Sequence, residues 1–338
     1  MVKVYFVTNR SGSPKNAPKN FGHRFSHAGV DDLRFGVAEV SGKRVRSVRV
    51  EKEKLDDTDD TKSVLGSASL FRGLQAEMRR SKKDAMILLH GFNVSFKEGL
   101  VAAGRLAQNH RDTIGHVALF SWPSDGRAIP WSSYKSDRTD ARASGPAFAR
   151  AFIKTAEFIR DTFRQASQGG TEPCGARLHL VAHSMGNYVL RNAFQEVRRL
   201  QSGSIPRLFT TVFSMAADED YDAFEHGHQF RDLPRIAEKI CIYFNRGDTA
   251  LRGSDFTKGN PNRLGTDGPR LPHMVPGNVS NIDVSEIVGG LLEHGYYADL
   301  PAVSRDMNEV IRGVHDDEIG NRRFVPSANK YVMLSADD

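Results

Sequence analysis

The residues best suited to chemistry surround Ser184. The segment Ala182-His183-Ser184-Met185-Gly186 follows an apolar run typical of a strand and precedes a helical pattern. A serine in such a sharp turn needs small residues two positions before and after it, because the strand and the helix approach closely there. The N-terminus of the helix would favour the negative charge of an acyl-transfer intermediate. The segment therefore predicts a nucleophilic serine, although five residues of this kind also occur in ordinary turns.

An attacking serine requires a histidine base, and the base requires an anion that fixes its tautomer. Behind a turn of this type, the acid and then the histidine follow along the chain. His273, His294 and His315 are the histidines that lie beyond the candidate acid Asp248. His273 falls in a long Gly- and Pro-containing loop and His315 in an acidic tail, whereas His294 comes shortly after the last predicted strand. We therefore predict His294 as the base.

Two aspartates compete for the role of the acid. Asp248 ends the turn sequence Asn245-Arg246-Gly247-Asp248 directly after a predicted strand. Asp218 follows the preceding strand and occupies the alternative acid position. An aspartate in a turn also commonly bonds to local backbone. The order of the strands favours Asp248, with Asp218 as the alternative.

A second candidate piece of the site is His90-Gly91-Phe92-Asn93, at the end of another predicted strand. The glycine lets the chain bend, so that the backbone N–H of Phe92 can join that of Met185 as an oxyanion hole. For the His90 side chain, a buried structural role is the favoured interpretation.

Strand and helix patterns alternate along most of the chain, which favours an α/β fold with a mostly parallel, doubly wound sheet and helices on both faces. We expect one domain over residues 1–338, with an N-terminal β extension (1–65), a catalytic core (84–300) and a C-terminal helix and tail (304–338). Periodicity predicts helices over about residues 67–82, 95–108, 143–165, 185–200 and 232–238, and strands over about 43–54, 85–92, 116–122, 177–183, 208–217, 239–245 and 278–285.

The composition is that of a globular protein, with 338 residues, 39% hydrophobic and 26% charged. The net charge of +6 comes from cations spread among acids, and the basic stretches lack interleaved aromatic residues, so no nucleic-acid partner is expected. No apolar stretch is long enough for a signal peptide or a membrane span. We expect a cytoplasmic protein without membrane insertion, cofactor or metal, and the sequence leaves its oligomeric state open.

Taken together, the chain resembles a bacterial α/β-hydrolase family catalogued as a domain of unknown function. The resemblance rests on motifs along most of the chain: Phe6-Val7-Thr8-Asn9-Arg10, His90-Gly91-Phe92-Asn93, Phe120-Ser121-Trp122-Pro123-Ser124, Ala182-His183-Ser184-Met185-Gly186-Asn187, Asp218, Asn245-Arg246-Gly247-Asp248 and His294-Gly295-Tyr296-Tyr297. It implies a sheet of the eight-stranded type with a serine triad at its carboxyl edge and an esterase- or lipase-like activity.

The expected function is hydrolysis of a small-molecule carboxylic ester through Ser184, His294 and Asp248. Acyl transfer by the same residues, or a catalytically silent binding protein with this fold, are the alternatives. Loops over residues 125–140, with Trp131 and Tyr134, and over residues 252–277 are candidate lids, though neither is apolar enough to dock on a membrane.

Overall fold

The computed structural model describes residues 1–12, 21–29, 32–51, 66–124, 130–170, 172, 174–201, 205–225, 227, 230–251, 262–289 and 294–335, with the backbone alone for 130–133. The longer helices are α1 (Gly66–Ser81), α2 (Phe96–Asn109), α3 (Pro130–Gln168), α4 (Gly186–Leu200) and α5 (Pro301–Arg312). The strands are β1 (Val2–Thr8), β2 (Arg10–Gly12), β3 (Phe21–Phe25), β4 (Arg34–Ser41), β5 (Arg44–Val50), β6 (Asp84–Leu89), β7 (Ile114–Ser121), β8 (Leu178–His183), β9 (Phe209–Met215), β10 (Ala237–Phe244), β11 (Val279–Asp283), β12 (Arg322–Val325) and β13 (Lys330–Met333).

One large sheet of 11 strands organises the chain, in the order β12-β13-β11-β10-β9-β8-β6-β7-β1-β4-β5. The strands from β13 to β1 in this order are parallel to their neighbours. Antiparallel partners extend the sheet at both ends, with β4 and β5 at one and β12 at the other. The expected mostly parallel sheet is confirmed, and it is wider than the eight-stranded type.

Helices cover both faces of this sheet because its central strands are apolar on both sides. Along β8, Leu180 and Ala182 join a core cluster with residues of α1, α3 and α4. Val181, between them, joins a second cluster with residues of α2 and α5. Successive strand side chains point to opposite faces, so this alternation fills two cores at once. The doubly wound arrangement is thereby confirmed.

The order of the strands reverses between β6 and β8. The chain leaves β6 toward β7 on one side and leaves β8 toward β9 on the other, while Leu89 pairs with Ala182 at the carboxyl ends of the two strands. Open α/β sheets bind their ligands in the crevice at such a reversal. The predicted nucleophile turn and the predicted oxyanion loop follow these two neighbouring strands.

Two elements expected in the catalytic core differ from the structure. The helix predicted around residues 232–238 is wrong: only Leu233–Ile236 form a 3-10 turn, and Ala237 already pairs with Phe209 in the sheet. The helix predicted from residue 143 begins at Pro130, so the candidate lid over residues 125–140 is helical from Pro130 onward, and 125–129 lie outside the described residues. Polar contacts of Tyr134 and Asp137 hold the first turns of this helix in place. Such contacts produce no apolar periodicity, so the sequence pattern does not predict these turns.

Both ends of the chain enter the main sheet. The N-terminal region supplies β1, which lies between β7 and β4 inside the sheet. The tail forms α5 and the hairpin of β12 and β13, instead of one helix with a terminal extension. A fully buried ion pair between Arg322 and Asp306 fastens this hairpin to α5. Of the second candidate lid, residues 252–261 lie outside the described part, and a short helix, Leu264–Asp267, follows them.

Candidate active site

Ser184 lies in a strained turn between β8 and α4. Its φ of 52° is in the left-handed region, and its N–H donates to the Met215 carbonyl at 2.9 Å. A β-carbon at Gly186 would come within 2.3 Å of the Leu89 carbonyl oxygen, so only glycine allows α4 to start this close to β6. Left-handed backbone at a residue other than glycine costs free energy and tends to occur at functional sites. The turn places the serine, which is only 5% exposed, at the carboxyl ends of β6 and β8.

Asn187 braces this turn from inside. Its amide nitrogen donates to the Ala182 carbonyl at 2.8 Å and to the Ser184 carbonyl at 3.2 Å, while its oxygen accepts the Ser214 hydroxyl at 2.7 Å. The side chain is fully buried, so each of these bonds forms away from water. Asn187 thus ties both ends of the turn to β9.

His294 and Asp248 form a close pair. Nδ1 of His294 lies 2.6 Å from Oδ2 of Asp248, whose other oxygen accepts the Leu251 N–H at 3.1 Å. The Asp248 side chain is 1% exposed and the His294 side chain 22%. Because a carboxylate can only accept, Nδ1 of His294 carries the proton in this contact. In the neutral ring Nε2 then keeps its lone pair, and this is the tautomer that a general base requires.

The loop that carries His294 is fixed against the serine turn. His183, directly before Ser184, holds its Nε2 at 3.0 Å from the His294 carbonyl, and the two imidazole rings are 4.8 Å apart. A carbonyl accepts only, so His183 donates through Nε2–H. Burial and the neighbouring His294 lower the pKa of His183 to about 3, which keeps its ring neutral.

Tyr296 holds the other side of the same loop. Its hydroxyl donates to the Tyr243 carbonyl and accepts the Ala216 N–H, both at 2.9 Å.

The predicted oxyanion loop packs directly on the serine turn. A β-carbon at Gly91 would lie 2.8 Å from that of Ser184, so glycine is required for this approach. The backbone N–H groups of Phe92 and Met185 have no hydrogen-bond partner among the residues that the structure describes. Asn93, at a φ of 58°, turns the chain, and its N–H lies 3.3 Å from a carboxylate oxygen of Asp137.

Arg10 supports this loop from beneath, and the sequence offered no role for it. The residue is 1% exposed, and its guanidinium donates to the Val94 carbonyl at 2.7 Å and the Ser121 hydroxyl at 2.8 Å. It also approaches Nε2 of His90 at 3.4 Å, while Nδ1 of His90 lies 2.9 Å from the Gly91 carbonyl. Burial and the Arg10 charge lower the pKa of His90 to about 3. His90 is therefore a neutral, buried structural residue.

Asp218, the alternative acid, contacts the serine turn through its backbone. Its N–H donates to the Ser184 carbonyl at 3.2 Å, and its Oδ2 accepts the Tyr134 hydroxyl at 2.5 Å. Arg138 and Arg263 approach its carboxylate at 3.8 and 4.0 Å. The carboxylate thus belongs to a buried polar network behind the turn, whereas His294 pairs with Asp248.

The remaining candidates are separate from this site. His273 approaches the Ser327 carbonyl at 3.3 Å, and the exposed His315 lies 3.4 Å from Asp317. Among the described residues, no three side chains of His, Cys, Asp or Glu are grouped to hold a metal ion. Within the same residues, no helix has the length and apolar character of a membrane span.

The sheet, its reversal point and the serine turn define an α/β hydrolase. The chain belongs to the family described as "Alpha/beta hydrolase of unknown function (DUF900)", which matches residues 67–312. A relative with 21% identity, an uncharacterized protein (alr1448) from Nostoc sp. strain PCC 7120, aligns over 75% of this chain and 81% of its own length. No solved structure matches the chain significantly.

Proposed function

We propose that the protein is a serine hydrolase that cleaves carboxylic esters, with Ser184 as nucleophile, His294 as general base and Asp248 as the acid that orients the base. The observation that carries the proposal is the 2.6 Å His294–Asp248 contact on a loop whose backbone is hydrogen-bonded to the residue before Ser184. Membership of the α/β-hydrolase family supports a hydrolytic reaction. The ester substrate and the three roles are our assignment.

In the first half of the reaction, the Ser184 oxygen attacks the ester carbonyl carbon while Nε2 of His294 takes the hydroxyl proton. The tetrahedral intermediate collapses as the bond from carbon to the leaving oxygen breaks, and His294 returns the proton to the departing alcohol. In the second half, water gives its proton to His294 and attacks the acyl-enzyme. The acid is released, and the proton returns to Ser184.

The negative oxygen of each intermediate needs donors that are already in place. The N–H groups of Phe92 and Met185 are suited to this role, because neither has a partner among the described residues. Asp248, in contact with Nδ1 of His294, stabilises the imidazolium form of that ring. Two donors on opposite sides of the β6–β8 crevice would hold the substrate oxygen between them.

Covalent labelling tests the proposal directly. A fluorophosphonate probe reacts with an activated serine, and we expect it to label the wild-type protein but not Ser184→Ala. Hydrolysis of 4-nitrophenyl esters should fall by roughly 10⁴-fold or more in Ser184→Ala and His294→Ala. The matched control is Ser167→Ala, since Ser167 is exposed at the end of α3 and, among the described residues, its hydroxyl bonds only the Phe163 carbonyl.

Two outcomes would contradict the proposal. A folded wild-type protein that neither reacts with the probe nor releases 4-nitrophenol would be a silent binding protein. Labelling that persists in Ser184→Ala would place the nucleophile elsewhere in the chain.

A further inference from the structure

A wide groove opens beside the proposed nucleophile. Its volume is about 730 Å³, and one end is lined by His90, Gly91, His183 and Gly295. Gly91 is in direct contact range of Ser184, since a β-carbon there would lie 2.8 Å from the serine β-carbon. The groove therefore ends at the loop that packs on Ser184 and at His183, the residue directly before Ser184.

Cations dominate the far walls of the groove. The walls are the hairpin between β4 and β5, the first turns of α2 and the short helix Tyr296–Asp299. Among its described lining residues are five cations and two carboxylates: Lys43, Arg44, Arg46, Lys97, Arg105, Glu98 and Asp299.

Both carboxylates already have partners. Asp299 pairs with Arg105 across the groove. Glu98 closes the N-terminal cap of α2, where its side chain accepts the Ser95 backbone N–H at 2.8 Å and the Ser95 hydroxyl at 2.6 Å. Neither carboxylate approaches the other cations of the walls within ion-pair distance.

The other four cations are exposed and make no ion pair with any described residue: Lys43, Arg44, Arg46 and Lys97. On the outer surface of α3, by contrast, arginines lie beside acids, as Arg160 and Arg164 do on either side of Asp161. Unpaired charges of one sign in a concave site focus the electric field and raise the local concentration of an oppositely charged ligand. The unpaired cations of this groove would attract an anion.

We infer that the substrate is an ester that bears a second, negatively charged group, a carboxylate or a phosphate, which the cations of the β4–β5 hairpin and Lys97 hold while Ser184 attacks the ester carbonyl. The inference rests on the proposed function and narrows its substrate class. The anionic group takes no part in bond making; it positions the ester and speeds its capture.

The test compares esters that differ only in the far end of the acyl chain. The 4-nitrophenyl half-esters of dicarboxylic acids of increasing length are each paired with the 4-nitrophenyl alkanoate of the same carbon number. At about 20 mM salt we expect kcat/KM to be at least about tenfold higher for the acidic ester at one or more lengths. The preference should shrink at about 500 mM salt, where screening acts over about 4 Å. Half-esters that end in a phosphonate distinguish a phosphate ligand from a carboxylate.

Charge reversal on the β4–β5 hairpin tests whether its cations cause the preference for the acidic ester. The variant Lys43→Glu/Arg46→Glu should reduce the ratio of the two kcat/KM values to about one or below. Arg323→Glu is the control, because Arg323 is an exposed arginine on β12, the strand at the opposite edge of the sheet, and has no ion pair among the described residues. This control should keep the preference for the acidic ester.

The outcomes separate the inference from the proposed function. Equal turnover of acidic and neutral esters at every length, unchanged by salt and by the hairpin variant, overturns the inference and leaves the serine hydrolase in place. Absence of turnover for every ester, together with absence of fluorophosphonate labelling, overturns both. A preference that Arg323→Glu removes as fully as the hairpin variant does also overturns the inference, since the whole charge of the protein would then explain it.

Discussion

Asp248 and Asp218 illustrate how single residues of one type acquire different roles from their partners. Asp248 accepts a backbone N–H with one oxygen and faces the His294 imidazole with the other. Asp218 accepts the Tyr134 hydroxyl and faces two arginines. A carboxylate that already has a hydroxyl donor and nearby guanidinium groups is poorly placed to orient an imidazole as well. We therefore assign Asp218 a structural role behind the serine turn.

The substitutions Asp248→Asn and Asp218→Asn distinguish these roles. Asp248→Asn should lower kcat for a 4-nitrophenyl ester by about 10⁴-fold, because an amide group no longer holds Nδ1–H of His294 or stabilises the imidazolium. Asp218→Asn should lower kcat far less and act mainly on the thermal midpoint of unfolding. Steady-state kinetics with circular dichroism melting measures both effects. A larger loss of kcat in Asp218→Asn would reverse the assignment.

Among the elements, β6, β8 and α4 set the geometry of the site by their close approach. Gly186 lets α4 begin against the carbonyl groups of Leu89 and His90, and Gly91 lets the predicted oxyanion loop contact the serine turn. The Gly186 contacts are with backbone atoms, and the nearest Gly91 contact is with the Ser184 β-carbon, which is bonded directly to the backbone. Neither can move aside as the end of a flexible side chain would. A single methyl group at Gly186 therefore has to displace the helix or the strand.

A matched pair of glycine substitutions tests this close approach. Gly186→Ala places a carbon 2.3 Å from the Leu89 oxygen, and we expect it to lower the free energy of unfolding by about 3 kcal/mol or more and to abolish phosphonate labelling. Gly73→Ala lies in the exposed part of α1 with open space around it and should stabilise the protein by up to about 1 kcal/mol. Urea unfolding measures both. Equal effects at the two positions would show that the turn tolerates a side chain.

The sequence predicts the elements near the site well because apolar periodicity is strong there. The spans of α2, β8 and α4 agree with their patterns within a few residues. The start of α3 was missed because polar contacts anchor its first turns. The turn at Ser184 could be predicted from small residues around it, and the pairing of His294 with Asp248 from their order along the chain. The supporting role of Arg10 could not be predicted, because its partners lie far away in the sequence. Contacts of this kind produce no periodic pattern.

Across the whole molecule, stability is linked to the neutral state of buried histidines. His90 is 1% exposed, and its pKa in the folded protein, about 3, is far below the ordinary value of 6.5. The unfolded chain therefore binds a proton below pH 6.5 that the folded protein does not. Protons stabilise the unfolded state in this range, so the stability that neutral His90 supports is lost as the pH falls from 6.5 toward 3.

The substitution His90→Gln should flatten this pH dependence. Between about pH 5 and about pH 6.5, the slope of the unfolding free energy against pH should be smaller than in the wild type by up to about 1 kcal/mol per pH unit. Urea unfolding at several pH values gives the slope. His27→Gln, at an exposed position, is the control and should keep the wild-type slope. An unchanged slope in His90→Gln would mean that His90 is not held neutral.

Arg10, which supports the predicted oxyanion loop, lies outside the segment that matches the family. The matched segment, residues 67–312, begins after β1, β4 and β5, yet β1 lies inside the main sheet and the arginine two residues after it supports the loop at the crevice. A fragment trimmed to the matched limits would keep Ser184, Asp248 and His294 but lose this support and expose the flank of β7. The segment that matches the family is therefore shorter than the shortest fragment that we expect to be active.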